Sequence, residues 1–243
     1  MAVLRVNGLT KYFGINSVFE NVSFELKSGE HIGLVGANGA GKTTLLKCIM
    51  EREEADRGTI KTSDGAVIGY LRQDFDYAGE TIRDEMEEAW KDVLFYKDRM
   101  ERLAAELEFH KDDADLVLEY GKTEARFEFL GGYDYESATK KILTGLGFTE
   151  EDWDRDIHSF SGGQKVRINL AAAFVRHPDF LLLDEPTNHL DMGMLEWLED
   201  YLRSYKGGVL MISHDRYFLD AAATGIIDLE NHRIHSYRGG YTR

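Results

Sequence analysis

The chain has 243 residues, 43% of them hydrophobic and 30% charged, which is ordinary for a soluble globular protein and enough for one large domain or a domain with a subdomain. Its net charge of −15 argues against a non-specific grip on nucleic acid, because phosphate contacts need lysine and arginine, although a local basic patch is compatible with it. No run of about 18 apolar residues is present to span a membrane, and a single cysteine, Cys48, excludes an internal disulfide and fits a reducing cytosol.

The start, Met1-Ala2-Val3-Leu4-Arg5-Val6, alternates like a strand and does not read as a signal peptide. Residues 3–6 and 18–26 are expected to form a half-buried antiparallel pair. Between them lies Leu9-Thr10-Lys11-Tyr12-Phe13-Gly14. Its two adjacent aromatics could stack on a purine base or simply cover a sheet edge. His31-Ile32-Gly33-Leu34-Val35 is a short buried strand. It leads into Gly36-Ala37-Asn38-Gly39-Ala40-Gly41-Lys42-Thr43-Thr44, which fits the phosphate-loop pattern G-x-x-x-x-G-K-[ST] at every fixed position. Residues 42–50 then read as a helix. Strand, glycine-rich loop and helix are what a phosphate site needs: glycines admit φ > 0 and let the backbone close around oxygens, and the amides at a helix start favour an anion. Lys42 can reach the β- and γ-phosphates, and the Thr43 hydroxyl can ligate Mg²⁺. Cys48, on that helix, reads as a small core residue.

Residues 59–61 and 67–71 are further strand candidates, ending near Gln73. A glutamine at a strand end could touch a metal and an attacking water; a surface glutamine is the commoner case. From Glu80 to Leu130 there are sixteen acidic and eight basic residues, with no proline and with apolar residues near helical spacing. This predicts an acidic helical hairpin, broken at His110-Lys111-Asp112-Asp113, with another helix over 136–146. Phe160-Ser161-Gly162-Gly163-Gln164 precedes a helical run over 165–175, which makes a second anion site or only a flexible turn. Phe180-Leu181-Leu182-Leu183-Asp184-Glu185 is a buried parallel strand with two carboxylates at its tip, where ligands bind in such sheets. Asp184 would reach Mg²⁺, and Glu185 would sit beyond it near a water attacking the γ-phosphate. Asn188-His189-Leu190-Asp191 leads to a helix over 192–205. Residues 209–215 read as an apolar strand ending at His214, and 226–229 pair with 233–237 as a hairpin.

Phosphate loop, Gln73, Ser161-Gly162-Gly163-Gln164, Asp184-Glu185, Asp191 and His214 stand in the order of an ATP-binding-cassette ATPase. The whole chain resembles that family. The resemblance implies an α/β fold of the P-loop NTPase type: a mixed-sheet core, an N-terminal antiparallel β subdomain, a helical signature subdomain and an inserted helical hairpin, or arm. Residues 1–79 and 176–243 would be the core and β subdomain, 80–131 the arm and 132–175 the signature subdomain. It further implies that ATP is bound between two cassettes, each phosphate loop facing the other cassette's Ser-Gly-Gly-Gln. On this reading Phe13 stacks on adenine, with Tyr12 as its less favoured neighbour. Residues Gly36, Ala37, Asn38, Gly39, Ala40, Gly41, Lys42, Thr43 and Thr44 hold phosphate and magnesium, and Gln73 and Asp184 complete the magnesium and water environment. Glu185 is the general base, and His214 contacts the γ-phosphate. Ser161, Gly162, Gly163 and Gln164 serve the opposite site, and Asp191 links the two. Phe160 stands where the family usually has leucine.

Asn188-His189 in the turn after Glu185 resembles the ABC-F subfamily of soluble tandem cassettes. The separation of 88 positions from Gln73 to Ser161 leaves room for that subfamily's arm, and Tyr237-Arg238-Gly239-Gly240-Tyr241 looks like the start of its inter-cassette linker. A second cassette is therefore expected beyond Arg243, with a cytoplasmic location and the ribosome (rRNA, ribosomal protein and tRNA) as partner. The acidic arm suits ribosomal protein better than rRNA. A lone cassette should be mostly monomeric and a weak ATPase. Two other classes compete: a transporter's nucleotide-binding subunit, which would need an apolar groove near Gln73, and a DNA-maintenance ATPase. The latter usually carries a longer coiled coil or cysteine zinc sites, and one cysteine cannot make the zinc site.

Overall fold

The computed structural model describes residues 2–71, 77, 79–110 and 113–242. In chain order the elements are β1 (Val3–Phe13), β2 (Asn16–Lys27), β3 (His31–Val35), α1 (Lys42–Ile49), β4 (Arg57–Thr62), β5 (Ile68–Leu71), α2 (Ile82–Ala89), α3 (Lys91–Phe109), α4 (Ala114–Phe129), α5 (Tyr135–Gly145), α6 (Gly162–Phe174), β6 (Phe180–Asp184), α7 (Met192–Ser204), β7 (Gly208–Ile212), α8 (Arg216–Ala222), β8 (Gly225–Glu230) and β9 (Arg233–Arg238). They divide into two compact units, Met1–Phe75 with Gly162–Arg243, and Asp76–Ser161.

The first unit holds two sheets: an antiparallel one in the order β2-β1-β4, and a six-stranded one in the order β5-β6-β7-β3-β8-β9. In the larger sheet β5, β6, β7, β3 and β8 run parallel and only β9 is antiparallel, pairing with β8 as the expected terminal hairpin. β6 and β7 are buried at every position, which is why their sequences are continuous apolar runs without alternation. Asp184 lies beside Ile212 and Ile212 beside Leu34, so β6, β7 and β3 finish level at one sheet edge. One core joins the elements: Leu4, Val6 and Leu9 from β1, Phe19, Val22 and Leu26 from β2, Leu45 and Leu46 from α1, and Phe180, Leu182, Leu210 and Ile212 from β6 and β7. Cys48 belongs to it, 2% exposed, and burial pushes its thiol pKa up. Along α7 a column of rings runs Phe174, Tyr201, Tyr205, His31, with Trp197 stacked on both Phe174 and Tyr201.

β1 is longer than the sequence suggests. It runs to Phe13, taking in the aromatic stretch at residues 9–13, because register shifts let it continue past Gly8, which adopts φ +59°. β7 is shorter, ending at Ile212, because the Asp215 carboxylate accepts the amides of Tyr217 and Phe218 and so starts α8.

In the second unit the expected two-helix hairpin is three helices. α2 opens with a capping box between Thr81 and Asp84. It ends at Trp90, whose buried indole donates to Thr139 Oγ1 at 3.0 Å. α3 and α4 then pack side by side and share the Arg99–Glu119 ion pair. Asp113 caps α4 by accepting the amides of Asp115 and Leu116. Val93, Leu103 and Phe127 are buried, whereas Phe95, Phe109, Val117, Leu118 and Phe129 are exposed.

His31, the first residue of β3, is 6% exposed. Its Nδ1 lies 3.2 Å from the Ala222 carbonyl oxygen, and burial lowers its pKa against the opposing pull of the Ala222 and Tyr205 backbone. The fold therefore holds it neutral, while the unfolded chain binds the proton below about pH 6.5. Its contribution to stability is lost as pH falls from that value toward the folded pKa. Urea unfolding followed from pH 7.5 to 5 should show a decline in stability that is shallower in His31→Gln.

Candidate functional site

The sheet edge where β3, β6 and β7 finish carries the functional residues. The loop after β3 takes its path from three glycines: Gly36 at φ +147°, Gly39 at φ +80° and Gly41 at φ +101°. Side chains are excluded at two of them. A Cβ on Gly36 would lie 2.5 Å from the Leu229 carbonyl oxygen, and one on Gly41 would lie 2.4 Å from Val18 Cγ1. Gly41 precedes α1 and offers no side-chain cap, and no acidic residue stands in the first turn to compete for its amides. Lys42 is 8% exposed and folds back over the loop, its ammonium donating to the carbonyls of Gly36 at 2.8 Å and Ala37 at 3.0 Å. The loop thus keeps a cation tied to its own backbone carbonyls.

Phe13, Asn38, Gly39, Gly41, Lys42, Thr43, Thr44, Asp184, Glu185, Asn188 and His214 line one open cleft of about 480 Å3. Gly36 and Ala37 line a neighbouring cleft of about 340 Å3 that shares Lys42 and His214. Ala40 packs on the core and donates its amide to Ala37. Of the two aromatics, Phe13 faces the cleft and is 52% exposed, whereas the Tyr12 hydroxyl is turned to Glu20.

Asp184 is 2% exposed, and among the described residues neither carboxylate oxygen has a hydrogen-bond partner. Burial raises its pKa; the nearby Thr43 hydroxyl and Lys42 ammonium pull the other way. An uncompensated buried carboxylate is costly. Facing a threonine hydroxyl in a phosphate cleft, it suits Mg²⁺, an ion usually held by one or two carboxylates together with phosphate oxygens. No cluster of three His, Cys, Asp or Glu occurs among the described residues, so no all-protein metal cage competes with this arrangement.

Glu185 leaves the strand with φ +52°, held there as its amide donates to the Ile212 carbonyl at 2.9 Å. Its carboxylate accepts the His214 amide at 3.4 Å and lies 3.4 Å from His214 Nε2. Burial raises its pKa and His214 opposes the rise. A carboxylate with a raised pKa beside an exposed imidazole is suited to take a proton from water.

Ser161 is exposed and ends the second unit, while Gly162, Gly163 and Gln164 open α6 three residues earlier than the expected helix. None of Gly162, Gly163 and Gln164 lines the phosphate-loop cleft. Phe160 is buried, edge-on to Phe148 and under the Arg155 guanidinium. Asp191 caps α7, accepting the Met194 amide at 3.0 Å, and pairs with Arg167 of α6 at 2.9 Å. Gln73 lies outside the described residues. Two participants were not singled out as site residues from sequence. Asn188 lines the cleft but had served only as a subfamily mark. Arg167 holds Asp191, and its helical position after Gly162 was the only available hint.

Residues 19–188 match the family model described as "ABC transporter". The chain is 36% identical over 246 residues to "ABC transporter F family member 5" of Arabidopsis thaliana, covering 99% of this chain and 36% of that protein. It is 32% identical over 233 residues to "Energy-dependent translational throttle protein EttA" of Mycobacterium tuberculosis, covering 96% and 41%. The chain thus spans well under half the length of these relatives. Among solved structures, "Structure of ATP binding subunit of ABC transporter" superposes with a TM-score of 0.74 at 23% identity, over 97% of this chain and 90% of that one, a likeness of fold.

The loop geometry makes a direct demand on Gly36. Gly36→Ala must meet both the φ of +147° and the contact with Leu229, and should lower unfolding free energy by about 1–3 kcal/mol in urea titration.

Proposed function

Because the chain belongs to the ABC transporter family of ATP-binding cassettes, with relatives named as its F subfamily, we propose that it binds ATP with Mg²⁺ in the Phe13–His214 cleft and hydrolyses it to ADP and phosphate. The observation that carries this reading is the meeting of the Lys42–Thr43 loop with Asp184 and Glu185 in one cleft. Phe13 stacks on the base. The Lys42 ammonium exchanges its loop carbonyls for β- and γ-phosphate oxygens. Thr43 and Asp184 are the protein ligands for Mg²⁺, which when bound neutralises charge developing on the phosphates. Gln73 joins that environment. Glu185 accepts the proton of the attacking water, and His214 orients Glu185 and donates to the γ-phosphate. Ser161, Gly162, Gly163 and Gln164 complete the second face of an ATP held by another cassette, and Asp191 connects the two sites.

Removing the carboxylate while keeping the shape isolates the base. Glu185→Gln should retain ATP affinity within about threefold and lose about 10²–10⁴ in turnover, measured by nucleotide titration and phosphate release. Lys42→Ala serves as the non-binding control. Full turnover in Glu185→Gln would remove Glu185 from the base role.

At the level of the whole protein, the reading is a tandem cassette acting on the ribosome in the ATP state, as a translation or antibiotic-resistance factor in the cytoplasm. No helix among the described residues is long and apolar enough to cross a membrane. The second unit fits a protein-contacting arm: an acidic surface with exposed Phe95, Phe109, Val117 and Leu118 suits ribosomal protein better than rRNA phosphate. The whole protein carrying Glu185→Gln, and the same change in its second cassette, should sediment with ribosomes in ATP and not in ADP. Nucleotide-loaded protein that stays in the supernatant would favour a transporter's ATP-binding subunit.

A further inference from the structure

Lys11 is a cation inside the fold. It is 8% exposed, and its ammonium is divided among three partners: the Glu53 carboxylate at 2.6 Å, the Glu54 carbonyl at 2.6 Å and the face of Phe13, 5.1 Å from the ring centroid. The ion pair with Glu53 raises its pKa, so the ammonium stays charged. Lys11 does not line the phosphate-loop cleft, whereas Phe13 does, with half its surface exposed. The cation lies over one face of a ring that is half exposed and lines the cleft.

The partners of Lys11 belong to a segment with a definite origin. Residues 51–53 turn directly out of the end of α1, their amides donating to the carbonyls of Lys47 and Cys48. The same segment grips β1 twice more: the Tyr12 amide donates to the Asp56 carboxylate at 2.7 Å, and the Asp56 amide donates to the Thr10 carbonyl at 2.9 Å. The helix whose first turn carries Lys42, Thr43 and Thr44 thus extends, at its other end, into a clasp around the aromatic ring.

We propose that Lys11 is a positioning residue for the nucleotide base, fixing the Phe13 ring through the Glu53–Asp56 clasp and polarising it from beneath. This rests on the reading of Phe13 as the base-stacking aromatic. A cation on one ring face draws electron density toward it, and the opposite face then stacks better on an electron-rich purine. The clasp also sets the distance between base and phosphate subsites, because both hang from α1.

The test compares two ligands that share phosphates and differ in the base, Mg·ATP and Mg·tripolyphosphate, titrated calorimetrically into the chain. Phe13→Ala should weaken ATP about tenfold and leave tripolyphosphate unchanged. Lys11→Met, which keeps the stem and removes the charge, should weaken ATP about three- to tenfold with tripolyphosphate unchanged. Lys11→Arg should restore ATP to within about twofold. Glu53→Gln keeps Lys11 but loosens its tether; it should show a smaller loss of the same kind, and it tests the clasp should Lys11→Met fail to fold. If Lys11→Met binds ATP normally while Phe13→Ala does not, Lys11 has no positioning role and the Phe13 reading stands. Equal loss of both ligands in Lys11→Met makes its role purely structural and overturns the proposal. An unaffected Phe13→Ala overturns the base-stacking reading, and the proposal with it.

Discussion

Asp184 ends a strand that is buried along its whole length, and neither of its carboxylate oxygens has a hydrogen-bond partner among the described residues. Taking such a group out of water costs several kcal/mol unless something positive is brought to it. The surrounding structure can be understood from that cost. A parallel strand flanked by β5 and β7 holds the carboxylate at the sheet edge, and burial keeps its pKa high. The cation and donor that face it, Lys42 and Thr43, open α1 directly after a loop in which Gly36 and Gly41 cannot be replaced, because side chains there would strike Leu229 and Val18. The site is therefore built in deficit, to be balanced by a ligand.

The same edge separates two carboxylates that are neighbours in sequence. Asp184 is the last residue of the strand and points into the core side of the cleft. Glu185, one residue on, takes a left-handed backbone conformation and meets His214. Strain at a non-glycine residue of this kind is tolerated where the surroundings enforce it. Here the enforcing contact is a backbone hydrogen bond from Glu185 to β7, the strand that also delivers His214. Two identical chemical groups thus acquire different environments at the expense of one unfavourable torsion.

Much of this was legible in the sequence because it is local. The phosphate-loop glycines, the apolar run before Asp184 and the terminal hairpin each carry their own signal within ten residues. What escaped depends on contacts distant in sequence or on one backbone torsion. Gly8 lets β1 pass through a bulge to reach Phe13, and a lone glycine does not announce which way a strand continues. The helix break at Trp90 comes from an indole that needs Thr139, 49 residues away. Asp215 looked like the tail of a strand and is a helix cap. Lys11 sits in a strand with nothing in its neighbourhood to mark it as buried; only the fold brings Glu53 and Glu54 to it. The residues alone do not separate Phe13 from Tyr12, and the preference for Phe13 comes from the family resemblance; in the fold Glu20 takes the tyrosine's hydroxyl.

The ring column along α7 gives the molecule a natural division of its optical signals. Of its three tryptophans, Trp197 alone belongs to the unit that carries the phosphate loop, and it lies flat against Tyr201 and Phe174. Trp90 and Trp153 belong to the other unit, each beside polar or charged neighbours, Thr139 and Arg83. Stacked rings couple in the near ultraviolet, and the column places the stacked tryptophan in the unit that carries the phosphate loop. Tryptophan emission, by contrast, is weighted toward the helical one. Loss of the Trp197–Tyr201 stacking then reports on the unit that carries the phosphate loop, and a change at Trp90 or Trp153 on the helical one, without a label.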